Sequence, residues 1–325
     1  MPANLPPQYY EAEKSFRTAK NPLEKIAALE EMMAIMPKHK GTDHLRAELR
    51  AKIAKLTQSM DKKTATQRVS MMIERAGAAE VVVIGPPNVG KSQLVAALTN
   101  ASPTVAAYPF TTQIATPGMM DFENIQIQLI DTPPLSEQPP EWWLLNIIRR
   151  ADGLLVVVDM GSDPLQQLEI VIKQLTERKI GLGENRGESD EEFPVSYKKA
   201  LIAGNKMDLD SSGQHYRALQ GRCAGLWPVI AISATGSGLG ELRLRIFQLL
   251  DIIRVYTKTP GGKPDLTDPI ILPRGSTLGE AAASVHKDFA AKMKYARIWG
   301  SGKHDGIMAK RDHVLQDGDV IELHM

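Results

Sequence analysis

The sequence predicts an α/β protein in which a doubly wound, mostly parallel sheet is preceded by a helical region and followed by a smaller module. From residue 80 onward, short apolar runs alternate with helical patterns, which is the order that right-handed βαβ crossovers require. The first apolar run leads into a glycine-containing loop and a helical pattern, and polar residues follow several later runs. Because ligands bind at the carboxyl ends of parallel strands, the sequence predicts a site at that edge.

Five apolar runs are the predicted strands of this sheet. The run over residues 153–158 is continuous and ends at Asp159, as expected for a strand buried on both faces. The other four runs are residues 81–84, 125–130, 199–203 and 229–232. Helical patterns over 164–178 and 238–253 supply two of the crossover helices.

The N-terminal region is predicted to hold two helices. Residues 1–20 show no clean period and carry no predicted element. Asn21 as N-cap and Pro22 at the first helical position predict a helix that runs to Pro37. A second helix is predicted from Asp43, and the short turn between the two makes them an antiparallel helical hairpin.

Positive charge is concentrated in this N-terminal region. Residues 11–75 hold 14 Lys or Arg against 9 Asp or Glu. The excess fits either an arm that contacts RNA phosphates or a solvated helical face with ordinary ion pairs. The turn Lys38-His39-Lys40 is the first segment to mutate in deciding between the two.

The composition is that of an ordinary globular protein, with 43% apolar and 24% charged residues. At about 100–200 residues per domain, 325 residues predict two or three domains. The formal net charge of +1 provides no global field, so neither DNA nor a membrane is an expected partner. The single cysteine, Cys223, cannot form an intrachain disulfide, and the first residues lack the pattern of a signal peptide. These features predict a cytoplasmic protein.

The loop Gly85-Pro-Pro-Asn-Val-Gly-Lys-Ser92 has the spacing of a phosphate-binding P-loop. Its glycines leave room for backbone N–H groups to face a phosphate, and the following helix adds its positive N-terminus. Lys91 would reach the β- and γ-phosphate oxygens, and the Ser92 hydroxyl would bind Mg²⁺. The phosphate site is assigned to Gly85, Asn88, Val89, Gly90, Lys91, Ser92 and Gln93.

Three further sets of polar residues follow predicted strands and indicate a guanine nucleotide. Asp131 would hold Mg²⁺ through water. Asp208 would accept hydrogen bonds from N1–H and the 2-amino group of guanine, and Asn205 would contact the base edge. Because adenine offers an acceptor where guanine offers a donor, Asp208 disfavours an ATPase on the same scaffold. The base site is assigned to Asn205, Lys206, Asp208, Ser233 and Ala234.

On these motifs the sequence resembles the Obg/DRG family of GTP-binding proteins. The stretch Tyr108-Pro-Phe-Thr-Thr112 is similar to the family's first switch, which implies that Thr112, or else Thr111, binds Mg²⁺. Residues 253–258 and 275–323 resemble the TGS domain, a ubiquitin-like β-grasp module. The resemblance implies a P-loop NTPase G domain between an N-terminal helical hairpin and a C-terminal TGS domain. The predicted boundaries are 1–78 for the helical region, 79–252 for the G domain and 253–325 for the TGS domain.

Three residues bear on the expected rate of GTP hydrolysis. The family's second-switch motif usually ends in glycine, but Pro134 stands here and cannot donate an N–H to the γ-phosphate. Leu135 occupies the position of the water-orienting glutamine of many small GTPases, which predicts slow intrinsic hydrolysis. In the resembling families an asparagine at the position of Asn88 helps to bind K⁺, so K⁺-stimulated hydrolysis is predicted. The implied catalytic residues are Lys91, Thr112 and Asn88, and the implied metal ligands are Ser92, Thr112 and Asp131 for Mg²⁺ and Asn88 for K⁺.

Two functions from different classes are compatible with this pattern. The first is a Mg²⁺-dependent GTPase that acts as a slow switch, whose GTP or GDP state is read by a ribosome or another RNA-containing partner in translation or ribosome assembly. The second, favoured by Pro134, is a nucleotide-gated adaptor that binds a protein partner or a guanine alarmone and hydrolyses little. Residues 256–325 hold 10 Lys or Arg against 9 Asp or Glu, so an RNA-docking role for the C-terminal module is implied by the resemblance alone.

Overall fold

A computed structural model describes most of the chain. The described residues are 6–19, 22–36, 42–61, 73–99, 106–107, 114–136, 140, 142–183, 195–210, 213–286, 288–289, 293–300 and 306–324. The predicted first switch with Thr111 and Thr112, the cap Asn21 and the turn at Lys38 to Lys40 all lie outside these residues.

The N-terminal region contains three described helices, one more than the sequence predicts. They are α1 (Pro7–Thr18), α2 (Pro22–Ile35) and α3 (Asp43–Asp61). α1 has Pro6 at its N-cap and a second proline in its first turn, a position that needs no N–H donor. Tyr9 of α1, Leu29 of α2 and Leu49 of α3 are buried in one small apolar cluster that joins the three helices.

The central sheet matches the predicted α/β architecture. Its described strands run in the order β2-β3-β4-β1-β5-β8-β9. Their bounds are β1 (Ala79–Ile84), β2 (Ala106–Ala107), β3 (Ile114–Phe122), β4 (Ile125–Asp131), β5 (Gly153–Asp159), β8 (Ala200–Asn205) and β9 (Val229–Ala231). β4, β1, β5, β8 and β9 are parallel, whereas β3 and β2 extend one edge in the antiparallel sense. A separate parallel pair is β6 (Ile180–Leu182) with β7 (Ser196–Lys198).

Both faces of the sheet are covered by helices, as a doubly wound fold requires. One face packs on α5 (Trp142–Arg150), α6 (Pro164–Thr176) and α7 (Gln214–Cys223), and the other on α4 (Lys91–Leu98) and α8 (Leu239–Leu250). Strand β1 shows the division directly, because Val82 and Val83 are both fully buried but belong to the cores on opposite faces. The continuous apolar strands are therefore explained by burial on two sides.

The C-terminal module is a five-stranded mixed sheet with one described helix against it, the β-grasp arrangement. The strands run in the order β11-β10-β14-β12-β13. Their bounds are β10 (Ile252–Lys258), β11 (Pro264–Pro273), β12 (Tyr295–Trp299), β13 (Ile307–Ala309) and β14 (Val320–His324), and the helix is α9 (Leu278–Val285). Thr277 and Glu280 form a capping box that fixes the start of α9.

The C-terminal module is joined to the central domain by a polar contact at the β3–β4 turn. Asn124 in that turn donates hydrogen bonds to the hydroxyl of Tyr256 (2.7 Å) and to the carbonyl oxygen of Leu266 (3.0 Å). Arg254 of β10 pairs with Glu123 of the same turn and with Asp317 of its own module. None of the helices in the described parts of the chain combines the length and the apolar composition that crossing a bilayer requires.

Candidate nucleotide-binding site

The loop between β1 and α4 has a backbone that depends on its two glycines. Gly85 is buried, and a Cβ there would collide with the carbonyl oxygen of Val157 on the neighbouring strand β5. Gly90 has a φ of 89°, and a Cβ there would lie 2.5 Å from the side-chain nitrogen of Asn205. A side chain at position 85 would require a backbone shift, whereas one at position 90 would have to displace the buried Asn205 side chain and adopt a strained positive φ, so both positions favour glycine.

The loop ends at a helix N-terminus without a side-chain cap. Gly90 is the N-cap residue of α4 and supplies no side chain to the first backbone N–H groups of the helix. Asn88, at a φ of 62°, is exposed beside them. N–H groups at a helix N-terminus favour an anion, and phosphate is the anion that such a glycine loop accommodates. Gln93 is also exposed and, together with Asn88, lines a cavity at this end of the helix.

Lys91 is folded back onto the loop that it is predicted to serve. Its ammonium group donates to the carbonyl oxygens of Gly85 (3.0 Å) and Pro86 (2.9 Å), and the residue is only 7% exposed. Burial lowers the pKa of Lys91 to about 8, although the nearby carboxylate of Asp131 acts in the opposite direction. A phosphate would give this ammonium group stronger, charged acceptors than the two carbonyls.

Asp131 and Ser92 form the part of the site that fits Mg²⁺. Burial raises the pKa of Asp131, while a hydrogen bond from the Ser92 hydroxyl and the charge of Lys91 lower it. Within the described residues, Oδ1 of Asp131 is buried and has no hydrogen-bond partner. An unpaired carboxylate oxygen beside a hydroxyl is the hard oxygen donor set that Mg²⁺ prefers. The predicted third ligand, Thr112, lies outside the described residues.

Asn205 has protein partners that the sequence does not predict. The sequence assigns it a contact with the base edge, but both polar atoms of its fully buried side chain have protein partners. Nδ2 donates to the carbonyl oxygen of Val89 at 2.8 Å, and Oδ1 accepts from the backbone N–H of Ala234 at 2.9 Å. Asn205 thus connects the phosphate loop to the loop that follows β9. It orders two segments of the site, and its contact with the base edge stays a prediction.

The residues predicted to recognise the base lie together at the ends of β8 and β9. The Ser233 hydroxyl donates to Oδ1 of Asp208 at 2.7 Å, which fixes the orientation of that carboxylate. Lys206 reaches back to the phosphate loop, where its ammonium group donates to the carbonyl oxygen of Asn88 at 2.8 Å. The strands are parallel neighbours, so all of these groups share the carboxyl edge of the sheet with Asp131. The sequence prediction of one shared edge is confirmed.

The segment after Asp131 is held against β1. The Thr132 hydroxyl donates to the carbonyl oxygen of Val83 (2.7 Å), and the N–H of Leu135 donates to the carbonyl oxygen of Gly85 (3.0 Å). The Leu135 side chain is 1% exposed and belongs to the apolar core. It therefore contributes packing beside the site and presents no polar group to a water molecule.

A cavity of about 470 Å³ opens between these segments. Its lining includes Lys91, Ser92 and Asp131 together with Pro133 and Pro134. Pro134 thus faces the space where the resemblance places a γ-phosphate, and its nitrogen carries no hydrogen to donate.

The pair Arg149 and Arg150 contributes to packing at the opposite edge of the sheet. Arg150 forms a 2.8 Å ion pair with the fully buried Glu80 at the start of β1. Arg149 donates to the carbonyl oxygen of Arg178 at 3.0 Å, and burial lowers the pKa of its guanidinium. Both guanidinium groups are therefore held at the end of the sheet opposite the phosphate loop, which argues against a role in stabilising charge on the phosphates.

Two family models match this chain. A model described as a 50S ribosome-binding GTPase matches residues 80–186, which contain the phosphate loop and the segment after Asp131. A TGS domain model matches residues 253–325, the C-terminal β-grasp module. The predicted order of a GTPase domain followed by a TGS domain is confirmed.

The chain is also similar to GTP-binding proteins over nearly its whole length. An uncharacterized GTP-binding protein from Methanocaldococcus jannaschii is 28% identical, and the match covers 92% of each chain. The developmentally-regulated GTP-binding protein 2 homolog of Dictyostelium discoideum is 28% identical over 93% of this chain and 98% of that protein. Ribosome-interacting GTPase 1 of Saccharomyces cerevisiae is 24% identical over 93% of this chain and 98% of that protein.

Proposed function

Since this chain is a GTP-binding protein of the DRG type with a C-terminal TGS domain, we propose that it hydrolyses GTP to GDP and phosphate as a slow nucleotide-controlled switch. A single feature carries the proposal: the phosphate loop, the Asp131 segment and the base loops meet at one edge of the sheet and are hydrogen-bonded to each other. Asn205 and Lys206 connect the base loop to the carbonyl oxygens of Val89 and Asn88, and the N–H of Leu135 connects the Asp131 segment to the carbonyl oxygen of Gly85.

Phosphate binding is the role proposed for the N-terminus of α4 and for Lys91. The ammonium group of Lys91 would exchange the carbonyl oxygens of Gly85 and Pro86 for phosphate oxygens. Ser92, Asp131 and Thr112 are the residues proposed to hold Mg²⁺, which would neutralise charge on the phosphates when bound. Asn88 is proposed as a K⁺ ligand because its exposed side chain stands at the turn of the phosphate loop.

Selection of guanine is assigned to Asp208. Its carboxylate is oriented by Ser233 and can accept from two donors that guanine has and adenine lacks. ATP would leave the carboxylate facing an acceptor, so GTP is the expected substrate.

The partner proposed to read the nucleotide state is a ribosome or another RNA-containing particle in the cytoplasm. Two names support this choice: the family model is that of a 50S ribosome-binding GTPase, and the yeast relative is called ribosome-interacting GTPase 1. No membrane or DNA partner is proposed, and the near-neutral charge of the chain is consistent with that.

Co-sedimentation with ribosomal subunits tests the partner. The protein should sediment with subunits when loaded with a nonhydrolysable GTP analogue and be released with GDP. Equal sedimentation in the two nucleotide states would remove the ribosome from the proposal. GTP turnover, measured in the same samples, should fall to background in Lys91→Ala.

A second function has one observation in its favour. Pro134 lines the cavity at the position where an N–H is expected, so γ-phosphate sensing and hydrolysis could both be weak. The protein would then be a nucleotide-gated adaptor that binds a protein partner or a guanine alarmone and hydrolyses little GTP. Turnover that stays at background with ribosomes present, combined with nucleotide-dependent binding to them, would favour the adaptor over the enzyme.

A further inference from the structure

Lys206 is a lysine in a backbone conformation that lysine rarely adopts. It follows β8 directly and has a φ of 61°, in the left-handed region. Such a conformation costs about 1 kcal/mol or more for a residue with a Cβ, and it persists where specific contacts of the residue with its surroundings offset this cost. Without them, a flexible lysine stem would spread over many rotamers in solvent.

Lys206 has a second partner in addition to the carbonyl oxygen of Asn88, namely the carboxylate of Asp159. The Lys206 ammonium group lies 2.6 Å from Oδ2 of Asp159 and 2.8 Å from the carbonyl oxygen of Asn88. Only 16% of the Asp159 side chain and 32% of the Lys206 side chain are exposed, so solvent screens this ion pair less than a surface pair. From the sequence, Asp159 is recognisable only as the end of a buried strand.

Asp159 is itself fixed on three sides. Its other carboxylate oxygen accepts the backbone N–H of Gly161 at 2.8 Å. Its backbone N–H donates to the side-chain oxygen of Gln167 at 2.8 Å, and Gln167 belongs to α6. β5 pairs with β8 so that Asp159 lies opposite Asn205. The carboxylate is therefore held in position by groups of the protein itself.

We infer that Asp159 is a positioning residue for the guanine nucleotide, acting through Lys206 to hold the phosphate loop and the base loop together. This inference rests on the proposed nucleotide function. Two links join those loops, Asn205 to Val89 and Lys206 to Asn88, and only the second depends on a charge supplied by a third strand. Removing that charge frees Lys206 and leaves the carbonyl oxygen of Asn88, in the turn of the phosphate loop, without its donor.

The test compares Asp159→Asn with Asp152→Asn by the rate of GDP dissociation, followed with a fluorescent GDP. Asp152 flanks the opposite end of the same strand, where its carboxylate accepts from the N–H of Glu80 and pairs with Arg75. Asp159→Asn should release GDP about tenfold faster, the size expected for one charge-assisted hydrogen bond. Asp152→Asn should lower the thermal unfolding temperature without a comparable change in release.

A double-mutant cycle with Lys206→Met separates positioning from general stability. If Asp159 acts through Lys206, the double variant should release GDP no faster than Lys206→Met alone. Additive effects would overturn the inference, and so would equal release rates for wild type and Asp159→Asn. Failure of the wild type to bind GDP at all would overturn the proposed function and the inference with it.

A second substitution covers the case in which Asp159→Asn does not fold. Asp159→Ser keeps a short acceptor for the N–H of Gly161 but carries no charge for Lys206. It should also release GDP faster than wild type, and normal release from a folded Asp159→Ser would overturn the inference.

Discussion

The side-chain amide of Asn205 donates a 2.8 Å hydrogen bond to the carbonyl oxygen of Val89 and thereby ties the end of β8 to the phosphate loop. The same amide accepts from Ala234 after β9. One fully buried side chain thus connects three of the segments that would surround a nucleotide.

Asn205→Ala should lose both stability and GDP affinity. The substitution leaves the carbonyl oxygen of Val89 and the N–H of Ala234 buried without partners, at about 1–3 kcal/mol for each group. Equilibrium unfolding in urea and GDP titration measure the two losses. Asn124→Ala is the control, because the Asn124 side chain also makes protein hydrogen bonds, three of them, but lies at the contact with the C-terminal module. It should lose stability and keep its GDP affinity; a similar affinity loss in both variants would contradict the special role of Asn205.

How far the sequence predicts this site depends on the type of interaction. The strands and the phosphate loop follow from local patterns, because apolar runs and the glycines at 85 and 90 carry their own signal. Helix α1 has no such local signal, since its residue Tyr9 is buried by packing against α2 and α3. The role of Asn205 also escapes sequence reasoning. Its partners Val89 and Ala234 are distant in sequence, and a backbone acceptor leaves no trace in the residue type.

Lys91 should make the stability of the nucleotide-free protein depend on pH. Its pKa is about 8 in the folded chain against an ordinary value of 10.5, so the unfolded chain holds a proton that the folded chain has released between those values. The free energy of unfolding should therefore rise from pH 8 to pH 10, by at most about 3 kcal/mol. Urea unfolding of wild type and Lys91→Met at several pH values measures this rise in the free energy of unfolding.

Lys91→Met serves as the reference because every other titrating group is common to both proteins. In the nucleotide-free form, the difference in the free energy of unfolding between the two proteins should change with pH. With GDP bound this difference should depend less on pH, since phosphate favours the charged lysine. Parallel curves for the two nucleotide-free proteins would show that the Lys91 ammonium group carries no burial penalty.

The proposed K⁺ site gives a prediction at Asn88. GTP turnover by wild type should be roughly tenfold or more higher in KCl than in NaCl, because a cation beside the phosphates stabilises charge in the transition state. Asn88→Gly should abolish the difference while keeping the loop backbone, since a φ of 62° is unstrained for glycine. Its GDP affinity should stay within a few-fold of wild type. Equal turnover of the wild type in the two salts would remove K⁺ from the mechanism.

Pro134→Gly should improve discrimination between GTP and GDP. The substitution supplies an N–H at a residue that lines the cavity together with Lys91 and Ser92, where a γ-phosphate oxygen could accept it. The ratio of the affinity for a nonhydrolysable GTP analogue to the affinity for GDP should rise about tenfold, which is the size expected for one charge-assisted hydrogen bond. Pro133→Gly adds the same chain freedom at the neighbouring residue and should leave the ratio unchanged. The same ratio in both variants would exclude the missing donor as the cause of weak sensing.

Arg254 is the residue whose loss should most weaken the contact between the two domains. Its guanidinium makes a bidentate contact with Asp317, at 3.0 and 2.7 Å, and pairs with Glu123 at the β3–β4 turn. Burial alone would raise the pKa of Asp317, but hydrogen bonds from Arg254 hold it below its ordinary value. Arg254→Ala removes the cation that is hydrogen-bonded to this partly buried carboxylate and should cost about 1–3 kcal/mol in urea unfolding at neutral pH.

The pH dependence of this loss distinguishes charge pairing from packing. A lowered carboxylate pKa contributes stability above its ordinary value, and the contribution disappears as the pH falls through the folded value. The difference between wild type and Arg254→Ala should therefore shrink in acid, because protonated Asp317 no longer needs its cation. Arg274→Ala removes an ion pair with Asp251 in which both side chains are about half exposed, and should cost less than about 1 kcal/mol. A loss for Arg254→Ala as small as that of Arg274→Ala would mean that the domain contact depends on Asn124 and apolar packing instead.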